Sequence, residues 1–467
     1  MISLSLSEIA HILFAKLSPE SAGHLTVDRL CTDSRNVPPG SLFLALKGER
    51  FDAHGFLPQV SAAGAAAAII DQPDKALHLA IPCLVVADTR KALGQLAAHV
   101  RSKLACRVIA IGGSNGKTTT KHLVGSVLAA AFKGTQSPKS FNNDIGVPTA
   151  ILDSAPNDDY LLLELGTNHP GELAPLSTMA RPDIAVITSI GAEHLEGFGD
   201  LTGVRREEAT LVDGLNPHGI LILNGDDTPL REMLHPLGHK TITFGFAADN
   251  DLRVEAIFST LAETRFRISG VQEEFRLPLP GRHNACNALA AIVIGREFGM
   301  TDSAIRHALA HCTRPEMRMQ VVHLGPITIL NDAYNANPSS MRAALETIAL
   351  ATLPGRRVAV LGEMRELGTS ALIMHQEIGR LAHDANLDLL ICVSGAMRET
   401  AQAAVAAGMK ANTVHYCDTS AQAAELLPAL LQNNDTLLLK GSRTIKLELV
   451  ADAVTQSLLA AQSVACS

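Results

Sequence analysis

Val108-Ile109-Ala110-Ile111-Gly112-Gly113-Ser114-Asn115-Gly116-Lys117-Thr118-Thr119 is the stretch that decides the fold of this chain. A short apolar, β-rich run enters a glycine-rich turn, and a helical stretch from Thr118 to Ala131 leaves it. Strand, glycine turn and helix N-terminus together make a phosphate-binding loop, because backbone N–H groups and the helix end face an anion. Lys117 is the expected cation for the β/γ-phosphates, and Thr118 offers its hydroxyl to Mg²⁺. Gly112 and Gly116 are separated by three residues, one fewer than in the G-x-x-x-x-G-K-[ST] pattern. The bland alternative is a glycine turn with an exposed lysine; the Gly-Lys-Thr ending in this setting favours the phosphate loop.

Working outward, further apolar runs lie at Tyr160–Leu163, Ile184–Ile187 and Ile220–Leu223, each beyond a helix-length segment. Alternation of this kind predicts a parallel α/β sheet. The last third repeats the rhythm. Strands are expected at 357–361, 389–393 and 436–439, with helices at 339–350, 371–385, 397–407 and 444–461. The first ~80 residues mix short elements, including the run Leu42–Leu46 after the turn Val37-Pro38-Pro39-Gly40. Asp88 to Leu104 reads as a helix bridging to the next unit. The 467 residues suggest about three domains at roughly 150 residues each. The expected divisions are 1–83, 84–312 and 313–467, with a hinge at Thr313-Arg314-Pro315.

Composition narrows the partners. Apolar residues make up 47% and charged residues 18%, so the chain can bury sizeable cores. A net charge of −8 and 3% aromatics disfavour nucleic acid. No apolar stretch approaches the ~20 residues of a membrane helix, and the N-terminus lacks signal-peptide character. The eight cysteines are scattered without a C-x-x-C pair, which favours a reducing cytoplasm. A monomer acting on small molecules is expected. The phosphate loop alone fits a GTPase, a kinase or an ATP-driven ligase, but the guanine-reading Asn-Lys-x-Asp motif of a GTPase is absent.

Longer motifs resolve this choice. Phe141-Asn142-Asn143-Asp144-Ile145-Gly146-Val147-Pro148, Glu164-Leu165-Gly166-Thr167-Asn168-His169, His194-Leu195-Glu196-Gly197-Phe198-Gly199 and Gly281-Arg282-His283-Asn284-Ala285-Cys286-Asn287 follow the loop in order. Together they resemble the Mur ligases, the ATP-dependent amide-forming enzymes of peptidoglycan precursor synthesis. Asn331-Asp332-Ala333-Tyr334-Asn335-Ala336-Asn337-Pro338, Leu361-Gly362-Glu363-Met364-Arg365 and Lys440-Gly441-Ser442-Arg443 resemble the branch that adds a D-alanyl-D-alanine dipeptide. Asp33-Ser34-Arg35 and Lys47 to His54 are similar to its UDP-sugar domain.

The resemblance implies three α/β domains: an N-terminal UDP-binding one, a central ATPase with a parallel sheet, and a Rossmann-like C-terminal one. It also implies a carboxylate activated by ATP as an acyl phosphate. Glu164 and His194 match the family's metal ligands beside Thr118, for Mg²⁺. Asn284 and Asn287 would reach the adenine, although either could instead cap the following helix. Asp332 would hold the ribose, with Tyr334 and Asn335 close to ATP. Arg318 resembles the arginine that reaches the γ-phosphate, preceded by Met317 where the family usually has glycine. Ser34 and Arg35 are candidates for the pyrophosphate, and Asn142 and Asn143 are candidate substrate contacts. Lys440 and Arg443 are candidates for the dipeptide carboxylate, against the alternative of a solvated basic pair.

One departure stands out. Most Mur ligases carry a lysine, converted to a carbamate, about fourteen residues after the motif histidine. Here that count lands on Glu208, and no lysine occurs between Lys139 and Lys240. Glu208 is expected to supply permanently the charge that the carbamate supplies elsewhere; the alternative is a surface glutamate beside Arg205. A nucleotide-binding homologue that has lost catalysis and a ligase using another amine are the competing functions.

Overall fold

The apolar run ahead of the glycine turn forms the strand Arg107–Gly112, at the heart of a nine-stranded sheet. The computed structural model describes residues 1–48, 51–76 and 79–465. Ile184–Ile187 and Tyr160–Glu164 flank this strand, both parallel to it. Ile220–Asn224 and Lys240–Gly245 extend the parallel part on one side and Gly134–Gln136 on the other. Strands buried on both faces need near-continuous apolar sequence, and the expected runs supply it. Alternate residues then serve opposite cores: Val108 and Ala110 one, Ile109 and Ile111 the other.

Five strands of this sheet have no apolar run to announce them, Gly134–Gln136 and Lys240–Gly245 in its parallel part and three at one edge. Leu252–Ser259, Thr264–Ile268 and Phe275–Leu277 pair antiparallel at the sheet's edge. Leu252–Ser259 has one wet face, with Arg253 and Glu255 alternating with buried Leu252 and Val254, so its signal is alternation and not hydrophobicity.

The N-terminal unit has a five-stranded sheet built from Lys16–Ser18, Cys83–Val85, Ala67–Ile70, Leu42–Leu44 and Leu30–Cys31. Only Lys16–Ser18 runs antiparallel. The expected bridging helix forms over Thr89–Lys103, and the Asp88 carboxylate caps it by accepting from the Arg90 and Lys91 N–H groups. Its buried Leu93, Leu96 and Val100 belong to the same apolar cluster as Leu42 of the first sheet and Val108 of the second. The first two units therefore share a continuous core. Glu49 and Arg50 of the UDP-domain motif lie outside the described residues.

The C-terminal unit is a six-stranded sheet: Gln320–Leu324, Ile327–Asn331, Thr436–Lys440, Arg357–Gly362, Leu389–Val393 and Val414–Cys417. All pairs are parallel except the first hairpin. Helices Pro338–Leu350, Ala371–Asp384 and Met397–Ala407 lie where expected. The final helix differs: it runs Glu448–Ala465, after a 3₁₀ turn at Arg443–Ile445. Lys446, at φ +59°, sits in the left-handed region and interrupts the helix there. This unit has its own two cores, one on each face of its sheet. The chain thus adopts the expected three-part α/β architecture.

Candidate active site

The crevice lies beyond the carboxyl ends of the central strands, where open α/β sheets bind ligands. Gly112, Glu164 and Asn224 end three of those strands. Residues from the central and C-terminal units together line a cavity of ≈1090 Å³ there.

The loop is shaped by two glycines. Gly113 has φ +113°, and a Cβ there would stand 2.4 Å from the Thr188 hydroxyl. Gly116 has φ +82°, and a Cβ would meet Asn287 Oδ1 at 2.4 Å. Lys117 opens the helix Lys117–Ala129 and folds back, donating from Nζ to the Gly113 carbonyl. A second, longer contact reaches the Ser114 carbonyl at 3.4 Å. Burial opposes the Lys117 charge, but the carboxylates of Glu193, Glu208 and Glu164 outweigh it and hold its pKa above the usual lysine value. Ser114 donates to the Gly191 carbonyl at 3.3 Å, and Thr119 is buried in the first turn.

Thr118 and Glu164 meet. The Thr118 hydroxyl lies 3.1 Å from Glu164 Oε1 and 3.1 Å from the Ser140 hydroxyl. Glu164 is 1% exposed and also accepts from Asn142 Nδ2 at 3.2 Å. Its Oε2 stands 3.2 Å from Lys121 Nζ but lacks a hydrogen-bond partner of its own. A buried carboxylate beside two hydroxyls is a hard donor set that fits Mg²⁺. His194 lines the same cavity, and Glu208 does not. Among the described residues, no three His, Cys, Asp or Glu side chains converge as a metal cluster. Of the expected metal set Thr118, Glu164, His194 and Glu208, the first three line one cavity. His194 turns its Nδ1 to the Glu366 carboxylate of the C-terminal unit. Glu208 is 1% exposed and does not line the cavity. It accepts the Gly113 N–H at 2.7 Å through Oε2, and burial raises its pKa. It holds the phosphate loop from behind and is no surface glutamate.

The nucleotide-side residues converge as well. Asn284 does not cap its helix: Nδ2 donates to the Pro280 carbonyl at 2.7 Å, while Oδ1 accepts from Asn287 Nδ2 at 3.2 Å. Asp332 accepts the Met319 N–H at 3.0 Å and pairs with Lys440 Nζ at 2.5 Å. Lys440 also donates to the Asn335 carbonyl at 3.1 Å and is 3% exposed. It serves Asp332, so the expectation that it receives the dipeptide carboxylate is corrected, and Arg443 remains. Arg443 is half-exposed and 3.2 Å from Glu448. Arg318 crosses from the C-terminal unit, donating Nη2 to Thr118 Oγ1 at 2.9 Å, its guanidinium 4.3 Å from the Tyr334 ring centre.

Ser34 and Arg35 stand apart from this cavity. Arg35 forms a bidentate pair with Asp33 at 2.9 and 2.8 Å, and the Ser34 carbonyl accepts from Gln59. Asn143 lines the cavity but uses Oδ1 on the Gly146 N–H at 2.9 Å.

Sequence reasoning missed four residues. Ser140 joins Thr118. Burial lowers the His283 pKa to about 4, and its Nδ1 is buried without a partner at the cavity. Asn337 donates to Asn115 Oδ1 at 2.8 Å, and Asn115 donates to the Ser339 hydroxyl at 2.9 Å. Glu193 lies 3.8 Å from Lys117 Nζ on the cavity wall. Its position beside the histidine motif was the only available signal.

Comparison with known proteins is consistent along the whole chain. Residues 26–101 match the Mur ligase family, catalytic domain; 111–295 the Mur ligase middle domain; and 317–443 the Mur ligase, glutamate ligase domain. A relative from Escherichia coli, named UDP-N-acetylmuramoyl-tripeptide–D-alanyl-D-alanine ligase, is 37% identical over 98% of this chain and 99% of its own. One of the same name from Bacillus subtilis is 33% identical, with equal coverage. A crystal structure of MurF from Acinetobacter baumannii superposes with a TM-score of 0.87 at 32% identity, covering 97% and 99% of the two chains. MurF ligase from Thermotoga maritima in complex with ADP superposes at 0.80, with 26% identity and coverage of 92% and 98%.

Proposed function

The chain belongs to the Mur ligase family, and from that premise we infer that it joins D-alanyl-D-alanine to UDP-N-acetylmuramoyl-tripeptide at the expense of ATP. The observation that carries the reading is full-length similarity to relatives of that name, combined with a phosphate loop at the junction of two units.

The tripeptide carboxylate attacks the γ-phosphorus of ATP, releasing ADP and leaving an acyl phosphate. The dipeptide amine then attacks the acyl carbon, the amide forms, and inorganic phosphate leaves with the bond electrons. Both steps concentrate negative charge, so positioned cations do most of the catalytic work. Lys117 faces the phosphates once it unfolds from the loop carbonyls, and Arg318 approaches from the opposite unit. Thr118 and Glu164 would hold Mg²⁺, which supplies charge neutralisation when bound. Asn284 and Asn287 address the adenine, and Asp332, fixed by Lys440, the ribose. Tyr334 and Asn335 flank ATP, while Asn142 and Asn143 border the acceptor. Arg443 receives the dipeptide carboxylate; Ser34 and Arg35 take the UDP end. Closing the crevice keeps water from the acyl phosphate.

We assign Glu208 a permanent charge behind the loop, in place of a modified lysine. The protein works as a cytoplasmic monomer on small molecules; no described helix is long and apolar enough to cross a membrane.

Phosphate release is the test, with ATP, Mg²⁺, the UDP-tripeptide and D-alanyl-D-alanine each omitted in turn, with and without bicarbonate. Release that needs both organic substrates and ignores bicarbonate is expected. Dependence on bicarbonate would remove the Glu208 assignment. ADP binding without any release would leave a nucleotide-binding protein and no ligase.

A further inference from the structure

Lys117 is already neutralised without a nucleotide. Its ammonium is bonded to loop carbonyls and stands 3.8 Å from the Glu193 carboxylate. Glu193 lies on the wall of the cavity that the phosphates would enter, with its side chain 11% exposed. Ser114 and Asn337 line the same cavity. Ser114 belongs to the loop and Asn337 heads the helix Pro338–Leu350 of the C-terminal unit. Asn337 in turn grips Asn115. The carboxylate thus faces the loop cation beside the contact that ties the loop to the opposite unit. A phosphate group at the loop would need the same cation.

We propose that Glu193 is a stand-in for phosphate: its carboxylate occupies the electrostatic place of the nucleotide's terminal phosphate opposite Lys117, and the nucleotide must displace it to bind. The proposal rests on the nucleotide-binding reading above and adds to it a built-in competitor. Glu208 is not equivalent, because its carboxylate is tied to the Gly113 N–H behind the loop and off the cavity wall. Removing the Glu193 charge removes both a competitor for Lys117 and a repulsion on the incoming phosphates. Glu193 is a positioning residue here, acting through Lys117.

Calorimetric binding of ADP, with EDTA to exclude divalent metal, tests this directly. Glu193→Gln should tighten ADP by roughly fivefold or more, the effect of freeing Lys117 from an opposite charge ~4 Å away even at the dielectric of water. Glu193→Asp, which keeps the charge, should stay near the wild-type affinity. An unchanged or weaker affinity in Glu193→Gln overturns the proposal. The second measurement needs no variant. In a crystal structure of the wild-type protein with ADP, Lys117 Nζ should contact phosphate and lie well beyond its present separation from Glu193. A Lys117 still paired to Glu193 with ADP bound also overturns it. Wild-type protein that binds no ADP defeats the nucleotide reading itself, a failure distinct from either of these.

Discussion

Met317 shows how one residue can sit against its own preference. It precedes Arg318 and has φ +54°, in the left-handed region, where an L side chain is strained. Family resemblance pointed to glycine here, and the geometry explains that choice. The strain is tolerated because both neighbouring strands fix the turn: the Met317 N–H donates to Gln320 Oε1 at 3.1 Å, and its carbonyl accepts the Tyr334 N–H at 3.3 Å. Those bonds aim Arg318 at Thr118. Met317→Val, with a branched Cβ, should cost on the order of 1–2 kcal/mol in a thermal or denaturant melt. Met317→Gly should be tolerated with little change. Equal stability of the two variants would mean that the turn relaxes without penalty. At this scale the phosphate loop, Glu164, Asn284, Asn287, Asp332 and Arg318 were legible because each sits in a recognisable motif. Glu193 and His283 were not, since their significance lies in burial and in partners far away in sequence. Lys440 was misread for the same reason: nothing local says that a strand-end lysine faces Asp332, 108 residues earlier.

Elements were readable in proportion to how completely they are buried. Strands covered on both faces appear as apolar runs. The edge strands at 252–277 and the hairpin at 320–331 present one wet face, and their weak alternation passes unnoticed beside stronger signals. Helix packing carries information of another kind. The helix Arg282–Glu297 places Gly295 so close to its neighbours that a Cβ would stand 2.8 Å from Ile305 and 3.0 Å from Val127. Val127 belongs to the helix that begins at Lys117. Gly295→Val should therefore destabilise the protein by about 1–3 kcal/mol through overpacking. It should also weaken nucleotide binding, because Asn287 and Gly116 ride on the two helices being forced apart. A stable variant with normal ADP affinity would show that the helices slide without moving the loop.

For the whole molecule, the three units are not equally joined. The first and second share one apolar core through the helix Thr89–Lys103. The third meets the second across a seam of named polar contacts: Asn337 on Asn115, Asn115 on Ser339, Arg318 on Thr118, and His194 on Glu366. Among the described residues, the apolar clusters at the seam bring Met374 beside Leu195 and Val204, and Leu261 beside the third unit's core. Each such hydrogen bond contributes roughly 0.5–1.5 kcal/mol net and an exposed ion pair about 0–1 kcal/mol, so this seam is weaker than the shared apolar core. Glu366→Ala should shift the nucleotide-free protein towards an open form with a larger radius of gyration by small-angle X-ray scattering. An unchanged radius would mean that the remaining contacts suffice to hold it. The division into three units was visible in the rhythm of strands and helices, but the inequality between the joints was not. It depends on which apolar faces meet, and that is settled only in three dimensions.

The polar character of that seam also governs how its opening responds to temperature. Folding curves with temperature because it hides apolar surface, each Å² changing the heat capacity by about 0.45 cal/mol/K. Parting the third unit wets carboxylates, amides and a guanidinium but very little hydrocarbon, and polar exposure acts with the opposite sign. Without a large apolar contribution, the open and closed populations should follow a nearly straight van't Hoff line, shifting with temperature through an almost constant enthalpy and lacking the stability maximum that curves folding.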